Sequence, residues 1–321
     1  MAEARSKLQP QSPYWYEDLC SPMAALKAGD KHDRPDPGLD VHYVDANILE
    51  LSRVTSIQRG FGLMFGVGIS IGFIVILPFL VEIYTNGSPQ EAPIMASFLM
   101  VMLLVLVVLL IHTIKRAIRT PLDLPVLFDR KSQKIFALEY LTKPNPFAKW
   151  KTVIKEFDWS HVQAEIGKFY RYKSVWYGLI LAQCEQGTAK VEDRIILKQE
   201  VATPLVLHQM WAYIRCYMNE GPECLQAIKP FPRDVNFRRC VLEFYPVFDR
   251  TEEGKRIRAS MHIVEQILLT VFCVPLFWLF LPAGVFEYIG QWLAPKPKWP
   301  AEIISQTGLP RTRDNASALS P

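Results

Sequence analysis

The chain has 321 residues, which at roughly 150 residues per domain allows about two folded units. Hydrophobic residues make up 50% of the sequence and charged residues 21%, and the mean hydropathy is +0.09. These values exclude intrinsic disorder of the whole chain and predict apolar blocks beside a polar domain. The net charge of +4 is too small to indicate nucleic-acid binding by itself.

Residues 1–44 contain several prolines and are predicted to be a largely irregular N-terminal segment. Residues 45–119 are the next unit. They begin with helical spacing of apolar residues over 47–59, which predicts an amphipathic helical lead-in to the first of two apolar runs.

The two apolar runs are long enough to cross a membrane as helices. Residues 61–81 contain no ionisable side chain, and residues 94–114 contain only His112. At a rise of about 1.5 Å per residue, each run spans a hydrocarbon core of about 30 Å. We therefore predict a transmembrane helical hairpin.

The charges beside the two runs predict an orientation. The connector over residues 82–93 carries two glutamates and no Lys or Arg. Basic residues flank the hairpin on both outer sides: Arg53, Arg59, Lys115, Arg116 and Arg119. The positive-inside rule therefore places the N-terminus and the main domain in the cytoplasm of a multi-pass protein.

The first run carries two pairs of glycines four residues apart, namely Gly62, Gly66, Gly68 and Gly72. Small residues at this spacing let two helix backbones approach closely. The sequence favours packing against the second span of the same hairpin. A dimer contact is the alternative, so a homo-oligomer stays open.

Residues 120–260 are the predicted folded domain. A series of antiparallel strands followed by one helix indicates an α+β domain, either an antiparallel sheet or a small barrel, capped by its C-terminal helix. The predicted strands cover residues 126–128, 135–141, 151–157, 175–184 and 194–199, and the helix covers 204–220.

The last part of this domain is basic and leads into a third apolar run. Contact with anionic lipid headgroups is one interpretation and ordinary cytoplasmic charge bias is the other. The candidate contact residues are Arg238, Arg239, Lys255, Arg256 and Arg258.

The third apolar run covers residues 266–286 and is interrupted by Pro275 and Pro282. Basic residues lie on both sides, so the charge rule does not decide whether it crosses. For the segment 261–300 we favour a kinked re-entrant hairpin or an interfacial segment, with a third span as the alternative. Residues 301–321 are predicted to be a polar tail.

The sequence shows no catalytic or metal signature. The six cysteines contain no Cys-x-x-Cys pair and are expected to be reduced thiols, and no HExxH, GxSxG, Walker A or GxGxxG motif occurs. Asp158 near His161 and the aromatic and basic residues 169–173 are interpreted as surface polarity and a strand edge. We therefore expect no catalytic residue, cofactor, metal or nucleic-acid partner, and a membrane-tethered enzyme is the less favoured possibility.

Four stretches carry a resemblance to a known group of proteins. They are Phe128-Asp129-Arg130-Lys131, Asp158-Trp159, residues 211–222 (WAYIRCYMNEGP) and residues 298–303 (KWPAEI). The chain resembles uncharacterised bacterial inner-membrane proteins that are often encoded near type VI secretion genes. The resemblance implies a membrane hairpin with a cytoplasmic domain similar to pleckstrin-homology sheets, and it implies no catalytic residues.

The sequence and the resemblance together suggest a non-enzymatic inner-membrane binding or adaptor protein. Its expected partners are membrane lipids and a protein, either a secreted effector or a secretion component. An immunity role and an effector-handling role both stay open. The alternative from a different class is a membrane-acting pore, channel component or toxin.

Overall fold

The computed structural model describes residues 6–38, 41–53, 59–86, 92–143, 145, 147–171, 174–225, 235–242, 248, 255, 258–259, 261–296 and 298–310. These residues form two antiparallel sheets closed by a helix, a pair of long apolar helices, and a further long helix near the C-terminus. The α+β class with antiparallel sheets, predicted from the sequence, is confirmed.

The two predicted apolar runs are helices α1 (Arg59–Asn86) and α2 (Ala92–Arg119). Each has 28 residues and is therefore about 42 Å long. Both are long and apolar enough to cross a membrane by length and composition. Only 6% of their most apolar stretches is buried within the protein, unlike the core helix of a soluble domain.

The domain is built from two antiparallel sheets. One has the strand order β2-β3-β4-β5-β6, and these strands are Val41–Val44, Ile48–Leu51, Val126–Asp129, Lys134–Leu141 and Lys151–Asp158. The other has the order β1-β7-β8-β9, and these strands are Trp15–Asp18, Val162–Arg171, Ser174–Cys184 and Val191–Val201.

The main core lies between the two sheets and under helix α3 (Pro204–Asn219). The rings of Trp159 and Trp211 meet there with centroids 5.5 Å apart, and both side chains are buried. Local sequence sets the ends of α3, because Pro204 suits a first helical turn and Gly221, at φ +106°, allows the chain to turn away.

The two apolar helices are inserted between neighbouring strands of one sheet. β3 pairs with β4 so that Leu51 lies opposite Val126, and the whole α1–α2 hairpin is the connection between these two positions. The chain therefore leaves the sheet into α1 and returns from α2 at adjacent points.

The N-terminal residues belong to the folded domain rather than to an irregular segment. β1 pairs with β7, and β2 pairs with β3. The sequence predicted a helical lead-in over residues 47–59. Over Ile48–Leu51 this prediction was wrong, because these residues form a strand. All four residues are buried, Glu50 among them, and a short stretch covered on both faces has no periodicity that separates strand from helix. Residues 54–58 of the lead-in lie outside the described part.

The third apolar run is one continuous helix, α5 (Ile263–Leu293), preceded by the short helix α4 (Phe237–Leu242). This corrects the predicted kinked hairpin: Pro275 and Pro282 lie inside a 31-residue helix about 46 Å long. Each proline removes a single backbone donor, so the other backbone hydrogen bonds of the helix remain available.

The C-terminal segment also packs on the domain, although the sequence predicted a polar tail. It forms helix α6 (Ala301–Thr307). Trp299, Ile303 and Leu309 cover the outer face of the five-stranded sheet at Leu127 and Phe136. The folded unit therefore draws on residues before and after the predicted 120–260 domain. The tail residues 311–321 lie outside the described part.

Candidate functional site

Asp123 joins the helical hairpin to the five-stranded sheet. Its Oδ1 accepts hydrogen bonds from the Ser52 hydroxyl at 3.1 Å and from the Arg53 backbone N–H at 2.8 Å. Its Oδ2 lies 2.8 Å from His42 Nε2. One buried carboxylate thus holds the chain that enters α1 against the chain that leaves α2.

The Arg53 side chain, which follows Ser52 beside Asp123, connects the two sheets. Its Nε donates to the Leu124 carbonyl at 2.7 Å, and its Nη1 donates to Glu139 at 2.7 Å. Nη1 also lies 3.1 Å from the carbonyl of Ile196 in β9, and Nη2 donates to the carbonyl of Leu138 in β5. Sequence reasoning used Arg53 only as a flanking charge and missed this contact set.

A second polar cluster lies where α1, α2 and α5 meet. Arg59 donates to the carbonyls of Ala117 and Pro121, and the backbone N–H of Gly60 donates to Glu287 Oε2 at 2.6 Å. Arg59 is 2% exposed and Glu287 is 4% exposed. Arg59 thus satisfies the Ala117 carbonyl in the last turn of α2, and Glu287 satisfies the Gly60 N–H in the first turn of α1. The positive and the negative charge suit the dipoles at these two helix ends.

Small residues let α1 and α5 touch at this point. A Cβ added to Gly60 would lie 2.9 Å from the backbone nitrogen of Glu287 and closer still to the carbonyl oxygen of Ala283. A Cβ added to Gly290 would lie 2.9 Å from the Cβ of Arg59.

Two polar clusters together form the region that we call the neck. The first is Asp123 with Ser52 and Arg53, and the second is Arg59 with Glu287.

The structure separates the four predicted packing glycines into two pairs. A Cβ on Gly62 would lie 3.5 Å from Thr113, and one on Gly66 would lie 3.3 Å from Leu110, so both face α2. Gly68 and Gly72 have no heavy atom of the described residues within 4 Å of an added Cβ. Packing inside the hairpin therefore uses only the first pair.

The predicted lipid-contact residues lie around α4 and before α5. Arg238 and Lys255 are exposed, and Arg239 and Arg258 are half-buried. Arg256 lies outside the described residues. Next to Arg238, the Phe237 ring meets Tyr288 of α5 with centroids 5.3 Å apart. Contact between these basic residues and lipid headgroups stays a prediction.

An aromatic and basic cluster joins the loop after β5 to α2. Lys115 Nζ donates to the Ala148 carbonyl at 2.6 Å and lies 4.7 Å from the Trp150 ring centroid. The rings of His112 and Tyr140 each lie 6.0 Å from that of Trp150. Such clusters of Trp, Tyr and Lys are typical of the boundary between membrane and water.

A cleft of about 410 Å³ lies between residues 23–26 and the C-terminal end of α3. The N-terminal segment is held there by Arg215, which donates to the Ala24 carbonyl at 3.0 Å and forms an ion pair with Asp33. Arg215 is 2% exposed, and its Nε has no hydrogen-bond partner among the described residues. Gln133, Cys216, Asn219 and Glu220 also line the cleft.

Two cysteines meet at the end of α3. Cys216 and Cys224 are joined as a disulfide with their Cα atoms 6.4 Å apart. Glu220 lies one turn after Cys216, and the donor atoms of these three residues lie within 4.8 Å of one another. Sequence reasoning looked for Cys-x-x-Cys and missed this group. The sequence pattern that could have indicated this group is a cysteine and a glutamate four residues apart at the end of a helix, with Gly-Pro directly after the glutamate.

Burial controls the titration of several groups in the domain. Glu165 is fully buried on β7, and burial raises the pKa of its carboxyl group while Arg194, 3.0 Å away, opposes the rise. Burial also raises the pKa of the phenols of Tyr213 and Tyr217, which therefore stay neutral.

The polar pair singled out in the sequence lies at the end of β6. The carboxylate of Asp158 accepts hydrogen bonds from the backbone N–H and hydroxyl of Ser160, which hold its pKa below the usual value. The carboxylate thus caps the short helical turn Trp159–His161, which agrees with a structural role rather than an acid–base role.

Comparison with known proteins places the chain in a family but assigns no activity. No curated protein and no solved structure matches it. Residues 103–308, which run from within α2 through strands β4 to β9 and on to α6, match one family profile. The chain belongs to this family, which is described as a family of unknown function (DUF6708).

Proposed function

We propose that this chain is a non-enzymatic binding or adaptor protein of the bacterial inner membrane. The α1–α2 hairpin anchors it, and the two-sheet domain faces a protein partner in the cytoplasm. The observation that carries the proposal is the insertion of two uncovered apolar helices between the adjacent strands β3 and β4. This connection holds the domain directly against the surface from which the helices emerge.

The uncovered side chains of α1 and α2 support the anchor. Ile74, Ile94 and Phe98 are 74%, 73% and 69% exposed, respectively. Exposing such surface to water costs about 25 cal/mol per Å², so a whole helix of this kind favours hydrocarbon strongly. Lys115 and Trp150 at the domain end of α2 agree with a boundary at that level.

Helix α5 is proposed to lie in the membrane interface without crossing. Its C-terminal part contacts Gly60 at the start of α1, and the chain after it packs on the five-stranded sheet. The chain before it is α4, which contacts α5 at Gly284 and is therefore also on the domain side. Residues 243–258 carry eight charged side chains, which are too costly to thread through hydrocarbon.

A binding role is supported by how the charged side chains of the neck are used. Asp123, Arg53 and Glu287 all hold chain segments together. The resemblance to proteins encoded near type VI secretion genes, with domains similar to pleckstrin-homology sheets, suggests a secreted effector or a secretion component as the partner. Immunity against a membrane-acting toxin and effector handling both fit such a partner.

Labelling of cysteines from outside intact cells tests the topology. Cys20 is exposed on the domain and serves as an internal reference. A membrane-impermeant maleimide should label the Asn86→Cys variant but neither the wild type nor the Ala259→Cys variant, whose new cysteine lies at an exposed position before α5. After permeabilisation, the exposed cysteines of all three should react. Labelling of Cys20 in intact wild-type cells would reject the cytoplasmic domain. Labelling of position 259 in intact cells whose Cys20 stays unlabelled would show that α5 crosses.

Cross-linking in membranes followed by co-purification tests the binding role. We expect a specific protein partner on the domain, and loss of that partner when exposed residues of the two sheets are changed. Recovery of no protein partner from native membranes would count against an adaptor.

A pore is the second candidate, and it is favoured by one observation. Gly68 and Gly72 present a small-residue face that the rest of the described chain leaves open. If this face assembles copies into a pore, wild-type protein should leak ions from vesicles. Gly68→Leu with Gly72→Leu should then abolish the leak, whereas Gly62→Ala should retain it. Vesicles that stay tight with the wild type would exclude the pore.

A further inference from the structure

We infer that Cys216, Glu220 and Cys224 form a binding site for a thiophilic divalent cation, with Zn²⁺ as the expected occupant, when the two cysteines are reduced. Thiolate sulfur and carboxylate oxygen are both common zinc ligands, at about 2.3 Å and 2.0–2.2 Å from the metal. Three such donors leave one coordination position for water or another ligand.

Local structure brings the three donors together. Cys216 and Glu220 are four residues apart at the end of α3, which places them on one face of the helix. Gly221 then adopts φ +106°, a conformation that side-chain-bearing residues avoid, and the following turn Pro222–Cys224 returns the chain to that face.

The resulting distances suit a metal. The Cα atoms of Cys216 and Cys224 lie 6.4 Å apart, and all three donor atoms lie within 4.8 Å of one another. Donors around a tetrahedral zinc are roughly 3.5–4 Å apart, so side-chain rotation is sufficient once the disulfide is open.

The site is reachable. Cys216 and Glu220 both line the cleft of about 410 Å³ beside residues 23–26. Cys216 is buried, Cys224 is half-buried and Glu220 is exposed. A metal there would be partly shielded from solvent and would have its remaining coordination position open to the cleft.

Metal binding requires reduced sulfur. Reduction of the Cys216–Cys224 disulfide to two thiols requires two electrons and two protons. A phosphine reductant supplies the electrons and is oxidised to its oxide. Water supplies the oxygen atom of the oxide and the two protons. The two thiols then release both protons when they bind the cation. In the cell, the reduced state of the two cysteines rests on the proposed cytoplasmic location, where thiols are kept reduced.

The test uses the full-length chain in detergent. A chelator first removes bound metal, and a phosphine then reduces the protein under an oxygen-free atmosphere. Titration with Co²⁺ should give one equivalent bound with a thiolate-to-cobalt absorption band, and Zn²⁺ should displace it. Zinc should also protect two thiols from alkylation, and peptide mapping should identify them as Cys216 and Cys224.

Variants separate the donors from their neighbours. Cys216→Ser and Cys224→Ser should each lose at least a hundredfold in affinity, and Glu220→Gln about tenfold. Glu223→Gln, which removes the same charge three residues away, and Cys20→Ser should bind like the wild type. The protection measurement on wild-type protein remains decisive if a cysteine variant fails to fold.

Three outcomes would overturn the site. The first is absence of zinc uptake by the reduced wild type, and the second is uptake that leaves Cys216 and Cys224 open to alkylation. The third is failure to reduce the disulfide in the folded protein. Because the reagents set the redox state in detergent, these results do not depend on which side of the membrane the domain occupies.

Discussion

The backbone N–H of Gly60 donates a hydrogen bond of 2.6 Å to Glu287 Oε2, across 227 positions of sequence. This contact joins the first turn of α1 to α5 and excludes a side chain at position 60. The carboxylate stabilises the start of α1 because the N-terminal end of a helix carries partial positive charge. The first turn of α1 is therefore held by a contact between two segments that are far apart in the sequence.

Gly60→Ala should destabilise the neck. The added methyl group would overlap the Ala283 carbonyl and force α1 and α5 apart, at a cost of about 1–3 kcal/mol. The thermal midpoint in detergent should fall accordingly. Gly68→Ala is the matched control, because an added Cβ there meets no described atom within 4 Å. Equal midpoints for the two variants would contradict the close packing at Gly60.

Asp123→Ala should loosen the junction between the hairpin and the sheet. The change removes the acceptor for Ser52 and Arg53 and leaves polar groups buried without a partner, which costs about 3 kcal/mol. Urea unfolding followed by tryptophan fluorescence measures the loss. Glu156→Ala breaks an exposed ion pair with Lys134 and should cost under about 0.5 kcal/mol. A loss of stability at Asp123 no larger than at Glu156 would argue against the role of Asp123 at this junction.

Trp299→Ala should release the C-terminal segment from the five-stranded sheet. Trp299 is buried, and its Nε1 donates to Glu50 Oε1 at 2.8 Å, so truncation should cost about 3–5 kcal/mol. Hydrogen exchange at residues 299–309 should accelerate first. Trp292→Ala changes a tryptophan that is 68% exposed and should leave this exchange unaltered. Unchanged protection in Trp299→Ala would show that α6 is held by other contacts.

Glu165→Gln should change the pH dependence of stability. Burial raises the pKa of Glu165 in the folded state above its ordinary value of 4.5. A raised pKa means that the folded state holds the proton more tightly, so this contribution to stability is complete below about pH 4.5. It is lost as pH rises through the folded-state pKa. Since glutamine does not titrate, the variant should gain stability relative to the wild type as pH increases.

Urea unfolding at several pH values between 4.5 and 7.5 measures this difference. Glu185→Gln, at an exposed position paired with Lys190, serves as the control and should follow the wild-type curve. If Glu165→Gln runs parallel to the wild type over the whole range, burial does not control the titration of Glu165.

Local signals in the sequence were enough for helices α1, α2 and α3 and for strands β4, β5, β6, β8 and β9. The apolar runs of α1 and α2 are long and uninterrupted by charge, and α3 lies between Pro204 and Gly221. The turn between β4 and β5 contains Asp129, whose carboxylate accepts from the backbone N–H groups of Lys131 and Ser132. Each of these features depends on residues close together in the chain, so the sequence alone determines them.

Only the tertiary structure decided the place of the N-terminal strands, the continuity of α5 and the pairing of Cys216 with Cys224. The strand at Ile48–Leu51 is specified by its neighbour β4, which is distant in sequence, and not by its own periodicity. The neck depends on contacts such as Ser52 with Asp123 and Gly60 with Glu287, which span 71 and 227 positions. A composition or spacing rule cannot find such partners, because the free energy of each contact exists only once the separate segments have folded together.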